Sequence, residues 1–260
     1  MATLRNILWK SYGFFCDPFP KKALPTAPWK PSDAIKMILF SSILLLIVSY
    51  GGFFLAAQIW GLLPAAEFLL NNKQEIILAG IGLQVLSQIG FLFWYSRRKY
   101  GVGLSDLGFR KIPLKTVFGV FSLLFLASIA LQNGYFFGLN LLGIASIASS
   151  GAVEQLISEH WVSLPVLFVF AGIIAPVLEE LIFRGFLLSG FLKKMSAFHA
   201  IALSSLFFAA AHLHLGLFPV YFILGVLLGI SFVRTKSLYP GIAFHAINNT
   251  LAFLVIAFGS

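Results

Sequence analysis

The sequence predicts an all-α fold: a polytopic membrane bundle of about seven transmembrane helices around a buried polar cavity. Three observations carry this expectation. The 260 residues are 59% hydrophobic and 10% charged, with a mean hydropathy of +0.94, whereas charged residues make up about a quarter of an ordinary soluble domain. Apolar windows of the roughly 17–25 residues needed to cross a bilayer recur at 37–59, 76–95, 116–138, 163–191, 197–213, 216–233 and 238–258. The lysines and arginines gather in alternate loops, so the net charge of +9 marks a membrane topology and not a nucleic-acid surface.

Residues 1–36 form a juxtamembrane segment ahead of the membrane domain, 37–260. Pro18, Pro20, Pro25, Pro28 and Pro31 alternate there with Phe14, Phe15, Phe19 and Trp29 and with basic residues, which suits a cytoplasmic stretch lying on anionic lipid. The stretch lacks the charged start, apolar run and small-residue cleavage site of a signal peptide. Cys16 is the sole cysteine, so it reads as a surface thiol, and neither an intrachain disulfide nor a cysteine metal cluster can form. Basic groups precede the first span, separate the second from the third (Arg97, Arg98, Lys99, Arg110, Lys111, Lys115), and recur at Lys193/Lys194 and Arg234/Lys236. This pattern puts the N-terminus in the cytoplasm of a bacterial cell and the C-terminus outside. The first three spans carry no recognisable motif, and no internal repeat suggests a transporter built from duplicated halves.

The fourth span contains "PVLEELIFRGF" at 176–186, with three charges in an apolar run. Each would cost about 2.5–3.5 kcal/mol at a bilayer centre unless paired. Glu180 and Arg184 stand four apart on one helical face and can form an ion pair, whereas Glu179 is turned about 100° from its neighbour. An ion-pair staple is the plain alternative, but a staple needs one carboxylate. The fifth span, "SSLFFAAAHLHLG", sets Phe208 four residues before His212 and offers Ser204, Ser205, Ala209, Ala210 and Ala211 for close helix approach. It is short and joined to the sixth span around His214 and Gly216, so both are expected to tilt or partly re-enter. Gly225 and Gly229 in the sixth span form a GxxxG packing motif. The last span, "YPGIAFHAINNTLAF", places His245 four residues before Asn249, with Asn248 between; interhelical hydrogen bonding is the plain reading of these amides. At about 1.5 Å of rise per residue, Glu179, His212, His245 and Asn249 can converge within the membrane.

A carboxylate, two imidazoles and an amide in a secluded pocket can activate water and hold an oxyanion. Glu179 would be general base, with His212 sharing the water or its proton; His245 and Asn249 would donate to the oxyanion. Glu179, His212 and His245 are also a possible zinc set, although the HExxH spacing is absent.

In order, "EELIFR", "FAAAH" and "HAINN" fit EExxxR, FxxxH and HxxxN. The chain thereby resembles the CPBP family of intramembrane proteases, which includes the CAAX prenyl endopeptidases of the Rce1 type and bacterial Abi proteins, over a core at 163–258. The resemblance implies an all-helical membrane endopeptidase acting on membrane-associated or lipidated (CAAX-type) protein or peptide substrates. It implies that Glu179 and His212 activate water, that His245 and Asn249 form the oxyanion site, and that Glu180, Arg184 and Phe208 support them. No metal is expected to be obligatory, and zinc stays open. A non-catalytic scaffold, a bacteriocin-immunity protein or a proton-coupled carrier using the same pocket is the alternative.

Overall fold

The computed structural model describes residues 27–71, 73–148 and 164–258. Cys16 and the proline- and phenylalanine-rich stretch around it lie outside the described residues. Among the described residues all regular structure is helical. The helices are α1 (Pro31–Trp60), α2 (Leu62–Asn71), α3 (Lys73–Tyr100), α4 (Leu114–Leu141), α5 (Leu164–Leu192), α6 (Ala197–Ala211), α7 (Phe218–Thr235) and α8 (Tyr239–Phe258). Short 3₁₀ turns at Ala145–Ala148 and Leu215–Leu217 interrupt the connections. Helix α4, α5, and the stretch Leu215–Thr235 that ends in α7 are each long and apolar enough to cross a membrane, whereas α6 is a shorter apolar helix of 15 residues.

Local sequence sets the helix ends. Pro31 opens α1, where a missing N–H costs nothing, and the Asp33 carboxylate accepts the Lys30 backbone N–H at 3.2 Å, completing half of a capping box. Arg97, Arg98 and Lys99 fill the last turn of α3, where positive charge complements the helix dipole.

The centre of the bundle is the lower half of α5, in which every residue from 180 to 192 is buried. The helix is not uniform. Wide π-helical stretches, Phe168–Ile174 and Leu181–Leu188, bracket an ordinary α-helical segment, Ala175–Glu180. Pro176 sits at that junction and has no N–H to give to the ladder.

Around α5 the helices approach through small residues, as expected where lipid supplies no hydrophobic drive between them. A Cβ on Gly225 would lie 2.8 Å from Ser205 Cβ, and one on Gly229 would lie 3.0 Å from Ile201, so the GxxxG face of α7 packs directly on α6. Ser204, Ser205 and Ala209 are buried in that contact, while Ala210 and Ala211 are exposed. The loop between α3 and α4 presses equally close: Leu107 is buried, and its carbonyl oxygen would lie 2.5 Å from a Cβ on Gly185. The same loop ties down the α7–α8 turn, with Leu238 N–H donating to Gly108 O at 2.9 Å and Ser237 Oγ to Arg110 O at 2.7 Å.

The N-terminal segment differs from the sequence expectation in one respect. Trp29, grouped above with lipid-facing aromatics, is fully buried against α5. Beside it Asp33 gathers Lys99 Nζ at 3.1 Å, Tyr95 OH at 3.5 Å and the Tyr100 hydroxyl, so α1 is fastened to the end of α3. Burial alone would raise the Asp33 pKa, but the hydrogen bonds from Tyr100, the Lys30 backbone and Lys99, with the Lys99 charge, outweigh it and hold the carboxyl at about 2. Burial and the facing Asp33 carboxylate push the Tyr100 phenol up to about 12.

Two outcomes follow for stability, read by thermal unfolding in detergent. Gly185→Ala drives a methyl into a backbone carbonyl and is expected to cost about 1–3 kcal/mol. Asp33→Asn is expected to cost about 1 kcal/mol at neutral pH. Because the folded pKa is depressed, Asp33 contributes fully above its ordinary 3.8 and loses the contribution as pH falls through about 2; the variant lacks that acid-dependent loss.

Candidate active site

Four helices meet at the glutamates. Glu180 and Arg184 on α5 form the pair their spacing predicts, Nη1 to Oε1 at 2.8 Å, with both side chains 1% exposed. Arg184 Nη2 donates to Gly225 O on α7 at 3.3 Å, and its guanidinium lies 4.4 Å from the centroid of the Phe208 ring on α6. The Gly225 that lets α6 approach α7 therefore also gives Arg184 a backbone acceptor.

His245 on α8 closes the group from the other side. Its Nδ1 lies 3.3 Å from Glu180 Oε1, so with Nδ1 protonated the carboxylate sets the ring's tautomer and aims Nε2 elsewhere. That direction is Glu179, whose Oε2 is 3.7 Å away. Gly241, one turn before His245, gives Glu180 the room it needs, since a Cβ there would meet Oε2 at 2.9 Å.

His212 arrives by a different route. It lies just past the end of α6, at its C-cap, and its backbone N–H bonds to Ala209 O. Its Nδ1 lies 2.8 Å from Phe208 O, and because a carbonyl only accepts, Nδ1 carries the proton and Nε2 presents its lone pair. Nε2 faces Glu179 Oε2 at 3.8 Å. The ring is held between Phe208, 4.7 Å away by centroid, and Tyr221, stacked at 3.9 Å and 23°. Phe208 also contacts His245 edge-on at 5.7 Å, so this fully buried ring supports both imidazoles.

Glu179 Oε2 is thus shielded from solvent and has no hydrogen-bond partner among the described residues, with an imidazole nitrogen on either side just beyond bonding distance. If both imidazoles are neutral, three acceptor atoms converge on one point. Such a point calls for a shared proton or a donor such as water. Exposure divides the cluster: Glu180, Arg184 and His245 are sealed at 1%, while the Glu179 and His212 side chains are 25% and 23% exposed. The reachable part of the cluster is the Glu179–His212 edge.

Among the described residues no group of three or more His, Cys, Asp or Glu is arranged to hold a metal ion. The Nε2 atoms of His212 and His245 each face Glu179 Oε2, at 3.8 and 3.7 Å, without forming such a group.

The remaining predicted residue is engaged differently. Asn249 Nδ2 donates to Ala171 O, in the first π stretch of α5, at 3.1 Å, and Asn248 Oδ1 accepts from Gln132 of α4 at 3.3 Å. Both amides hold α8 to its neighbours, which is the interhelical bonding that the sequence allowed. His214 caps the 3₁₀ turn by accepting the Leu217 N–H at 3.1 Å. Tyr221 and Gly241 were not anticipated, although each carries a readable signal: Tyr221 is one turn before Gly225 on the α7 packing face, and Gly241 is one turn before His245.

Residues 161–251 match the family model described as "Type II CAAX prenyl endopeptidase Rce1-like". The chain is 34% identical over 99 residues to "Membrane-embedded CAAX protease MroQ" of Staphylococcus aureus (strain USA300), covering 36% of this chain and 39% of that protein. It is 28% identical over 159 residues to "Putative membrane peptidase YdiL" of Bacillus subtilis (strain 168), covering 61% and 59%. The chain thus spans about two fifths and three fifths of these relatives' lengths. No solved structure matches it. The region that carries EELIFR, FAAAH and HAINN, and that folds into the cluster of Glu179, Glu180, Arg184, His212 and His245, is therefore the region that matches the Rce1-like CAAX protease family model.

Proposed function

We propose that the chain is an intramembrane endopeptidase that hydrolyses peptide bonds of membrane-associated or prenylated, CAAX-type substrates. In this reading seven spans enclose a polar cavity in a bacterial cytoplasmic membrane, with the N-terminus cytoplasmic. The observation that carries it is the Glu179 carboxylate oxygen, buried without a hydrogen bond and flanked by the Nε2 atoms of His212 and His245 at 3.7–3.8 Å. A structural ion pair would not leave a carboxylate oxygen so placed, because an unsatisfied buried acceptor costs about 1–3 kcal/mol or more.

Glu179 takes a proton from a water held between it and His212. The water oxygen bonds to the scissile carbonyl carbon, and the carbonyl oxygen becomes the oxyanion. His245 stabilises that oxyanion as the imidazolium, the protonation state in which an Nε2–H is present while Nδ1–H stays directed to Glu180, and Asn249 donates its remaining amide hydrogen. The C–N bond then breaks, and the proton held by the Glu179–His212 pair goes to the leaving amine. Glu180 and Arg184 touch no reacting atom; they fix His245 and the helix.

The amide bonds of Asn248 and Asn249 suit a second reading, a non-catalytic scaffold or immunity protein that uses the polar residues for packing. Cleavage of a membrane-associated peptide by purified protein decides between them. Glu179→Gln is expected to lower the rate by about 10²–10⁴, as loss of a general base does, with His212→Ala and His245→Ala similarly inactive. Asn249→Ala is expected to lose about 10²–10³. Wild-type cleavage by Glu179→Gln would remove the peptidase reading. Cleavage that survives a strong chelator supports the glutamate mechanism, whereas loss on chelation with recovery on added zinc would replace it.

A further inference from the structure

Trp29 lies outside the Glu179–His212–His245 cluster, yet among the described residues it is the largest side chain with no exposed surface. Its indole lies flat on the Phe186 ring, with centroids 4.2 Å apart and planes within 2°, and its Nε1–H donates to Phe186 O at 2.8 Å. Phe186 is two residues beyond Arg184, inside the π stretch Leu181–Leu188. Neighbouring contacts shape the seat. A Cβ on Gly190 would lie 3.2 Å from Trp29 Cδ1, and Lys193 Nζ donates to Pro28 O at 2.7 Å.

The indole N–H lands on a π stretch. Each wide turn takes in extra chain relative to an α-turn and closes its ladder with i→i+5 bonds, so side-chain bonds to its carbonyls add support to the wide form. Three side chains supply such bonds: Ser204 to Phe183 O at 2.9 Å, Ser189 to Gly185 O at 2.5 Å and to Phe186 O at 3.1 Å, and Trp29 to Phe186 O, which also accepts the Ser189 backbone N–H. Ser189 lies on the same helix and Ser204 on the next one. Trp29 is 157 residues away in sequence, so this bond forms only when the N-terminal segment is docked. Were the stretch to tighten to α geometry, each residue squeezed out of the wide turns would rotate the flanking register by about 100°. Glu179 and Glu180, immediately before the stretch, would then swing away from His212 and His245.

We propose that Trp29 is a positioning residue: its indole N–H holds Leu181–Leu188 in the wide form that aims both glutamates at the two histidines. This inference rests on the peptidase reading. The full-length protein is assayed for peptide cleavage as wild type, Trp29→Phe and Glu179→Gln, with unfolding temperatures measured in parallel. Trp29→Phe keeps an aromatic ring on Phe186 and removes the N–H. The expected result is a kcat lower by about 10- to 100-fold, the scale of a misplaced catalytic group, with KM changed less than twofold. Gly190→Ala, whose added methyl crowds Trp29 Cδ1 and Nε1 at 3.2 and 3.4 Å and so pushes the N–H off Phe186 O, is expected to shift kcat the same way and serves where Trp29→Phe does not fold. Wild-type kcat in the folded variants, with Glu179→Gln inactive, overturns the positioning role and leaves the peptidase reading standing. Wild-type cleavage by Glu179→Gln overturns both. A kcat loss that merely tracks lost stability, and disappears on cooling, also overturns it.

Discussion

The ion pair between Glu180 and Arg184 is the contact on which the rest of the site depends, and its surroundings explain how an apolar bundle tolerates it. Two charges removed from water gain from each other only if their remaining hydrogen-bonding capacity is also met. Here Glu180 reaches Arg184 and His245, while Arg184 reaches Glu180, the Gly225 carbonyl and the Phe208 ring. Each of those partners sits on a different helix, so α5, α6, α7 and α8 converge on one neutral pair. Losing either member would strand the other and cost about 3–5 kcal/mol. The close approach of α6 and α7 through Ser205 and Gly225 serves the same end, because it brings the Gly225 carbonyl within reach of the guanidinium.

Much of this was legible in the sequence because it is periodic. The four-residue spacings of Glu180 to Arg184, Phe208 to His212 and Gly225 to Gly229 each predict a shared face, and each pair behaves accordingly. The bundle's long apolar helices follow from composition in the same way. What resisted reading is what breaks the period. Two π stretches in α5 alter the register on both sides of the glutamates, and nothing in the residue types between 164 and 192 announces them apart from Pro176. The end of α6 at Ala211, which leaves His212 outside the helix, is likewise set by the turn into α7. Trp29 misled for a simpler reason: an aromatic residue among prolines and lysines suits a lipid surface and a protein seat equally, and only the seat between Phe186 and Gly190 distinguishes them. Asn249 belongs to the same class, since its spacing from His245 fits both an oxyanion donor and the bond it makes to Ala171.

Burial and access are divided between adjacent residues. Glu180 is sealed, paired and oriented, which makes it a poor base and a good support for His245. Glu179, one residue earlier and turned about 100° away, shares none of those bonds and keeps its side chain a quarter exposed. A carboxylate left this way within an apolar bundle is costly, and its closest imidazole nitrogens stand too far off to relieve it. The fixed orientation of both rings sharpens the point. With His212 held by the Phe208 carbonyl and His245 by Glu180, neither ring can turn its protonated Nδ1 toward Glu179 without breaking a bond of its own. While both rings are neutral the oxygen's deficit is therefore built into the packing, and it is met by whatever donates a proton into the gap. In the proposed reaction that donor is the water, and the exposed Glu179–His212 side of the cluster is where it would enter.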